Sequence, residues 1–167
     1  SANDVSIIKQ ALAIAKNPLL AVTIDNTTII SAADANAIAK LAGGALTAEI
    51  QDGTVAATLK ALSDVKAGDV LTFTSTDKTV KATDIVALKS KIATGTYTSI
   101  ETITADAKDV SYVSAALDIA NNADVTITGT ITAAQANAIA ANTNAGDLTA
   151  MVEADTAANL VAKLINT

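Results

Sequence analysis

The chain has 167 residues, half of them apolar, and a net charge of −6; it contains no His, no Cys and no Arg. Those absences remove disulfides, thiolate metal sites, cysteine nucleophiles and the commonest general base. They also remove bidentate guanidinium recognition of phosphate, and the negative charge sets nucleic-acid binding against electrostatic repulsion.

Residues 4–16 carry Val5, Ile8, Leu12 and Ala15 at helical spacing, a stripe widened by Ile7, Ala11 and Ile14. Asn17-Pro18 ends this helix, because a residue before proline is pushed out of the α region. The helix precedes the first strand, and residues 1–18 read as an N-terminal cap. The polar start Ser1-Ala2-Asn3-Asp4 does not read as a signal peptide. No run of 18 apolar residues offers a membrane span.

Three units follow, at about 19–68, 69–122 and 123–167. In the first, a strand at Leu20–Ile24 leads into a helix over about 32–42, then a strand at 45–50 and a helix over about 54–64. The second has strands at 70–75 and 96–102 and helices at about 82–93 and 106–120. The third has strands at 124–128 and 147–152, a short loop at Gly129-Thr130, and a last helix from Thr156 to Ile165. Thr132 with Gln135 fits a capping box, and Ser31 with Asp34 a weaker one.

The units repeat one another. Ile30-Ser31-Ala32-Ala33-Asp34 lines up with Val80-Lys81-Ala82-Thr83-Asp84 and with Ile131-Thr132-Ala133-Ala134-Gln135. Gly44, Gly95 and Gly146 recur 51 residues apart, each just past a helical run, where glycine fits a left-handed helix C-cap. Each unit holds two strand-plus-helix rungs of about 25 residues, and a period of this size marks solenoids and arrays. Within the strands apolar residues alternate with Thr, as in Val22-Thr23-Ile24 and Val125-Thr126-Ile127. Alternation places one face under helices and leaves the other solvated, since strands covered on both faces become continuous apolar runs. With right-handed crossovers, the expectation is an α/β fold: a one-sided right-handed strand–helix solenoid in a single domain. It has a parallel sheet of about six strands, with helices on one face.

Candidate chemistry is sparse. Ser90 lies between Lys89 and Lys91, but no nucleophile elbow or oxyanion motif accompanies it, and it reads as a surface turn. Asp106 and Asp109 sit near a helix start, where negative charge is favoured for structural reasons. Asp25-Asn26, Asp52, Asp77, Asp124, Asp147 and Asp155 fall in or beside turns and could contribute oxygen ligands to calcium. No EF-hand or glycine-rich nonapeptide spacing supports this, and Asp favours turns and helix N-caps anyway; no cofactor is expected. The remaining pattern is a file of threonines, one per strand on the outward face: Thr23, Thr47, Thr72, Thr98, Thr126 and Thr149. Stacked about 4.8 Å apart, they form a candidate surface for glycan, ice or a protein partner, although Thr suits any solvated strand face.

The phrases AQANAIA…TNAGDLTAMVEADTAANLVAKL (134–164) and TYTSIETITADAKDVSYV (96–113) resemble repeat modules of very large secreted surface proteins of cyanobacteria and other bacteria. That group includes surface-layer-like proteins, adhesins and surface proteins tied to swimming motility. The resemblance implies an extracellular, cell-surface location and a structural role. The expected function is therefore a non-enzymatic repeat segment acting as spacer, surface lattice or filament component. Its expected partners are neighbouring repeats of a longer chain or other copies end to end, with no nucleic acid. The alternative is a binding module that uses the Thr-lined face.

Overall fold

The structure, a computed structural model, describes residues 2–15, 17, 19–25 and 27–164. Pro18, Asn26 and Ile165, which figure in the expectations above, lie outside the described residues. The elements run α1 (Ala2–Ala15), β1 (Val22–Thr23), β2 (Ile29–Ile30), α2 (Ala32–Leu41), β3 (Leu46–Ile50), α3 (Val55–Ala61), β4 (Val70–Thr74), β5 (Thr79–Lys81), α4 (Ala82–Lys89), β6 (Thr94–Thr96) and β7 (Thr102–Asp106). A 3-10 helix (Ala107–Tyr112) follows, then α5 (Val113–Leu117), β8 (Ala123–Ile131), α6 (Ala133–Ala140), β9 (Ala145–Val152) and α7 (Ala157–Lys163). The fold is α/β, and every strand pairing is parallel.

Two compact units divide the chain, residues 1–76 with 87–96 and residues 77–86 with 97–167. The first contains a five-stranded sheet in the order β1-β3-β4-β6, with β2 also paired to β3; the second contains the order β5-β7-β8-β9. Among the described residues, nine strands in two sheets thus replace the expected sheet of about six. The difference has a local cause. β2 and β5 are two- and three-residue pieces directly before helices, too short to show an alternation. The expected strand at 96–102 is instead β6 and β7 on either side of a turn, closed by the Ile100 N–H donating to the Tyr97 carbonyl. Both residues are buried there, so Tyr97 and Ile100 serve the core from a turn.

Paired residues lie 20 to 24 positions apart, as with Ile30 and Ile50, Ile103 and Val125, and Val22 and Leu46. This period is slightly shorter than the expected 25. One face of the strands is covered: Leu46, Ala48 and Ile50 of β3 are buried between half-buried Thr47 and Glu49, and Leu71 and Phe73 of β4 are buried either side of exposed Thr72. With Ile38, Val55 and Leu62 these form the core of the first unit. Helix α1 packs against α2, burying Val5 and Leu12 and pairing Lys9 with Asp34 at 2.6 Å. Ile7, Ala11 and Ile14 do not widen that stripe, for all three are exposed. The α2 start is capped by the Ser31 hydroxyl, which accepts from the Asp34 N–H. Its end is held by the Lys66 ammonium, which donates to the Ala42 carbonyl at 2.7 Å.

The second unit buries Ile103, Leu117, Val125 and Ile131. Thr132 and Gln135 form the full capping box at the start of α6, as the sequence implied. The expected helix over 106–120 is a six-residue 3-10 helix followed by five residues of α5. Nothing in 107–112 is buried, whereas α5 buries Val113, Ala116 and Leu117. Only the stretch with a packed face is therefore held in α geometry. The expected loop at Gly129-Thr130 lies inside β8, where Gly129 takes φ +93° beside a break in register between Thr126 and Thr130. That is the position where a strand needs glycine for a bulge.

The periodic glycines are a correction. Positive φ among glycines is confined to Gly68 and Gly129 among the described residues, so Gly44, Gly95 and Gly146 are not left-handed caps. A Cβ on Gly44 would stand 2.8 Å from the Ala21 nitrogen and 2.9 Å from the Leu19 oxygen. One on Gly146 would stand 3.1 Å from the Asn122 oxygen. At Gly44 the backbone of the preceding paired segment passes too close for a side chain, whereas at Gly146 the backbone is merely tight and the nearest atom is the Asp124 carboxylate. Gly95 is the central residue of β6, level with Phe73.

Candidate functional surface

The threonine face is built by parallel register. In the first unit Thr23 pairs with Thr47, but the next residue in that column is Val70. Thr72 falls in a different column, between Glu49 and Thr94. In the second unit Thr126 pairs with Thr149 on one side and with Thr104 on the other, and Thr104 is followed by Lys81. Thr98 belongs to no strand; it is exposed in the turn between β6 and β7. The single expected file of six is therefore broken into short files, Thr23–Thr47, Thr72–Thr94 and Thr104–Thr126–Thr149. The break arises because β3 and β4 pair Ala48 with Leu71, so equal positions along successive strands do not share a column. Thr94 and Thr104 were missed because their strands were misplaced in the sequence by several residues. Of the six expected residues, Thr23, Thr72, Thr98 and Thr149 are exposed, and Thr47 and Thr126 are half-buried.

Charge on this surface is mixed. Lys78 pairs with Glu101 in the open, both side chains 68 % exposed, where such a pair contributes little. A shallow cleft of about 300 Å³ opens among Lys81, Thr83, Thr104, Asp106, Lys108 and Asp109. Two ammonium groups and two carboxylates line it, so no single sign of field is focused there. The Ser90 hydroxyl donates to the Ala87 carbonyl at 2.6 Å on an exposed helix end, which is a helix back-bond.

The acidic residues proposed for calcium are dispersed. No three carboxylates come together among the described residues. Asp124 and Asp147 lie within β8 and β9 rather than in turns. Asp25 accepts the Thr27 N–H at 2.8 Å, and this bond holds its carboxyl below the usual range. Asp155 is held at about 2 by Lys163, the Asn159 amide and the Thr156 N–H.

The sheet edges are the other feature. β9 ends its sheet and contains no buried residue, and α7 is largely exposed. At β1, Val22 and Ile24 donate their N–H groups inward to Ala45 and Thr47, so the Thr23 N–H points to the free edge. At β9, the Glu153 N–H points inward to Ile131; by strand alternation the amides of Ala150 and Val152 point outward. Among the described residues no helix is long and apolar enough to cross a membrane. Comparison of the chain with family models, with curated proteins and with solved structures finds no match.

Proposed function

We propose that the chain is a non-enzymatic structural segment of a bacterial cell-surface protein, a right-handed strand–helix solenoid in which α1 caps the first rung. The observation that carries this reading is the register. Successive parallel strands pair at 20 to 24 residues with a helix between most of them, and one face of each central strand is buried while the other is open. A stack of that kind makes length, and length is what a spacer, lattice or filament component needs. Without His, Cys or Arg, and with Ser90 bonded to the Ala87 carbonyl and Asp25 and Asp155 held by local bonds, the chain has no obvious catalytic set. The acidic, Thr-rich, Cys-free composition and the resemblance to surface-protein repeats support an extracellular location.

Inserting a second copy of residues 69–122 after residue 122 tests the stacking. A folded product with proportionally more helix and strand by circular dichroism and an undiminished urea midpoint is expected; loss of cooperative folding refutes the solenoid. Location is checked by labelling intact cells with an antibody to the chain, which should reach it without lysis.

A second reading, a binding module using the threonine face, is favoured by the in-register column Thr104–Thr126–Thr149. Thr104, Thr126 and Thr149 replaced together by Lys should abolish adhesion to a glycan array or ice surface on that reading, with the fold intact.

A further inference from the structure

We propose that the cleft of about 300 Å³ at the carboxyl ends of β5 and β7 binds a small zwitterion, and that the ligand class is a free α-amino acid. The cleft lies wholly within the second unit, and its chemistry is independent of the solenoid reading. The crevice outside the carboxyl ends of parallel strands is the usual ligand position in open α/β sheets. Lys81 is the last residue of β5 and Asp106 the last of β7. Register sets Lys81 level with Thr104, and Asp106 level with Thr128, so two rows of the sheet reach the cleft. Lys108 and Asp109 join them from the 3-10 helix. What marks this cleft is that its opposite charges do not pair. Lys81, Asp106, Lys108 and Asp109 make no side-chain hydrogen bond or ion pair with another described residue, and Asp106, at the N-cap position, does not cap its own 3-10 helix.

The repeat supplies a comparison. Ser31 and Thr132 occupy the place of Lys81 in the first and third repeats, and each hydroxyl accepts an N–H of its own helix. In the first repeat Lys9 pairs with Asp34 at 2.6 Å. In the third, a cleft of about 240 Å³ is lined by Thr132, Asp155 and Lys163, and Lys163 pairs with Asp155 at 2.6 Å. These two repeats satisfy their charges from within, whereas the middle one leaves both signs to the solvent. A simple anion or cation gains little there, because each attraction is offset by a repulsion from the opposite pair. A molecule with a carboxylate and an ammonium a few bonds apart meets both signs through charge-assisted hydrogen bonds, and the hydroxyls of Thr104 and Thr128 can donate or accept beside them. The volume falls at the low end of the range for small-molecule sites, and no aromatic ring lines the cleft to stack a sugar. Solvated charge pairs each contribute little, so a Kd of about a millimolar is expected.

Titration of the isotope-labelled chain with glycine and with L-serine, followed by amide NMR, is the test. Saturable shifts are expected at Lys81, Thr104, Asp106, Lys108, Asp109 and Thr128, with Thr132 and Asp155 of the self-paired cleft unmoved. Acetate and methylammonium, each carrying one of the two charges, should bind at least tenfold more weakly than serine, and so should glucose. Lys108→Gln and Asp109→Asn lie in a helix that buries nothing. Each should weaken serine binding at least threefold with an unchanged circular dichroism spectrum, and the double variant should abolish it. The wild-type shift map and the single-charge probes decide the matter if a variant fails to fold. No saturable shift at the cleft amides with tens of millimolar amino acid overturns the proposal. Acetate, methylammonium or glucose binding there as tightly as serine overturns it too, since the cleft would then be reading one charge or hydroxyls alone.

Discussion

At the scale of single residues, the glycines separate two physical requirements that look alike in a sequence. Gly44 and Gly146 occupy equivalent positions, but the atoms a Cβ would meet differ. At Gly44 all three nearest atoms are backbone, at 2.8 to 3.0 Å. At Gly146 the nearest is the Asp124 carboxylate oxygen, a side chain able to move, and the backbone stands at 3.1 Å or more. Gly44→Ala should therefore destabilise the chain by about 2 kcal/mol, in the range of overpacked cores, and Gly146→Ala by roughly half as much, both read from urea midpoints; equal losses would refute the distinction. The sequence showed the 51-residue spacing correctly and misassigned its cause, since positive φ and a close neighbouring backbone both demand glycine and only coordinates tell them apart. Asp155 offers a second residue-level check. Its folded value of about 2 lies below its ordinary 3.8, so the bonds to Lys163, Asn159 and Thr156 are fully stabilising above the ordinary value and are lost as pH falls through about 2. A carboxyl NMR titration should place its midpoint near 2, and Lys163→Met should move it up toward the ordinary value.

Among whole elements, the helices are tied to one another by asparagine. The Asn36 amide in α2 accepts the Asp64 N–H at 2.6 Å and donates to the Asp64 carboxylate at 2.9 Å, just beyond α3. Asn137, at the equivalent place in α6, donates to the Lys163 carbonyl at the end of α7. Asn137 thus satisfies a carbonyl that the end of α7 leaves without an intrahelical partner, and Asn36 ties the segment after α3 to α2. The equivalent position of the middle unit is Val86, which has no such group to offer. Asn36→Ala should lower stability by about 1 kcal/mol, the net value of a typical hydrogen-bonded pair, and Asn137→Ala by a similar amount, whereas Val86→Ala acts only through its apolar contacts. Thermal melts of the three variants check this. Both asparagines are half-buried and bonded to the following segment, a role that depends on how neighbouring helices pack and leaves no mark in local pattern. Helices with a clear apolar face, such as α2, were legible to within a few residues. The 3-10 helix and the turn at 97–101 were not, because their geometry is set by what lies beneath them rather than by propensity.

For the molecule as a whole, burial is uneven, and a stacked array should show it in its dynamics. Buried residues are dense from β3 to α6 and absent from β9 and α7. Local opening follows buried apolar contact, so amide hydrogens of 145–164 should exchange fastest among the regular elements and those of β4 and β8 slowest. Each sheet's interior strands have neighbours on both sides, whereas β9 has one; its outward amides at Ala150 and Val152 should exchange faster than its inward ones.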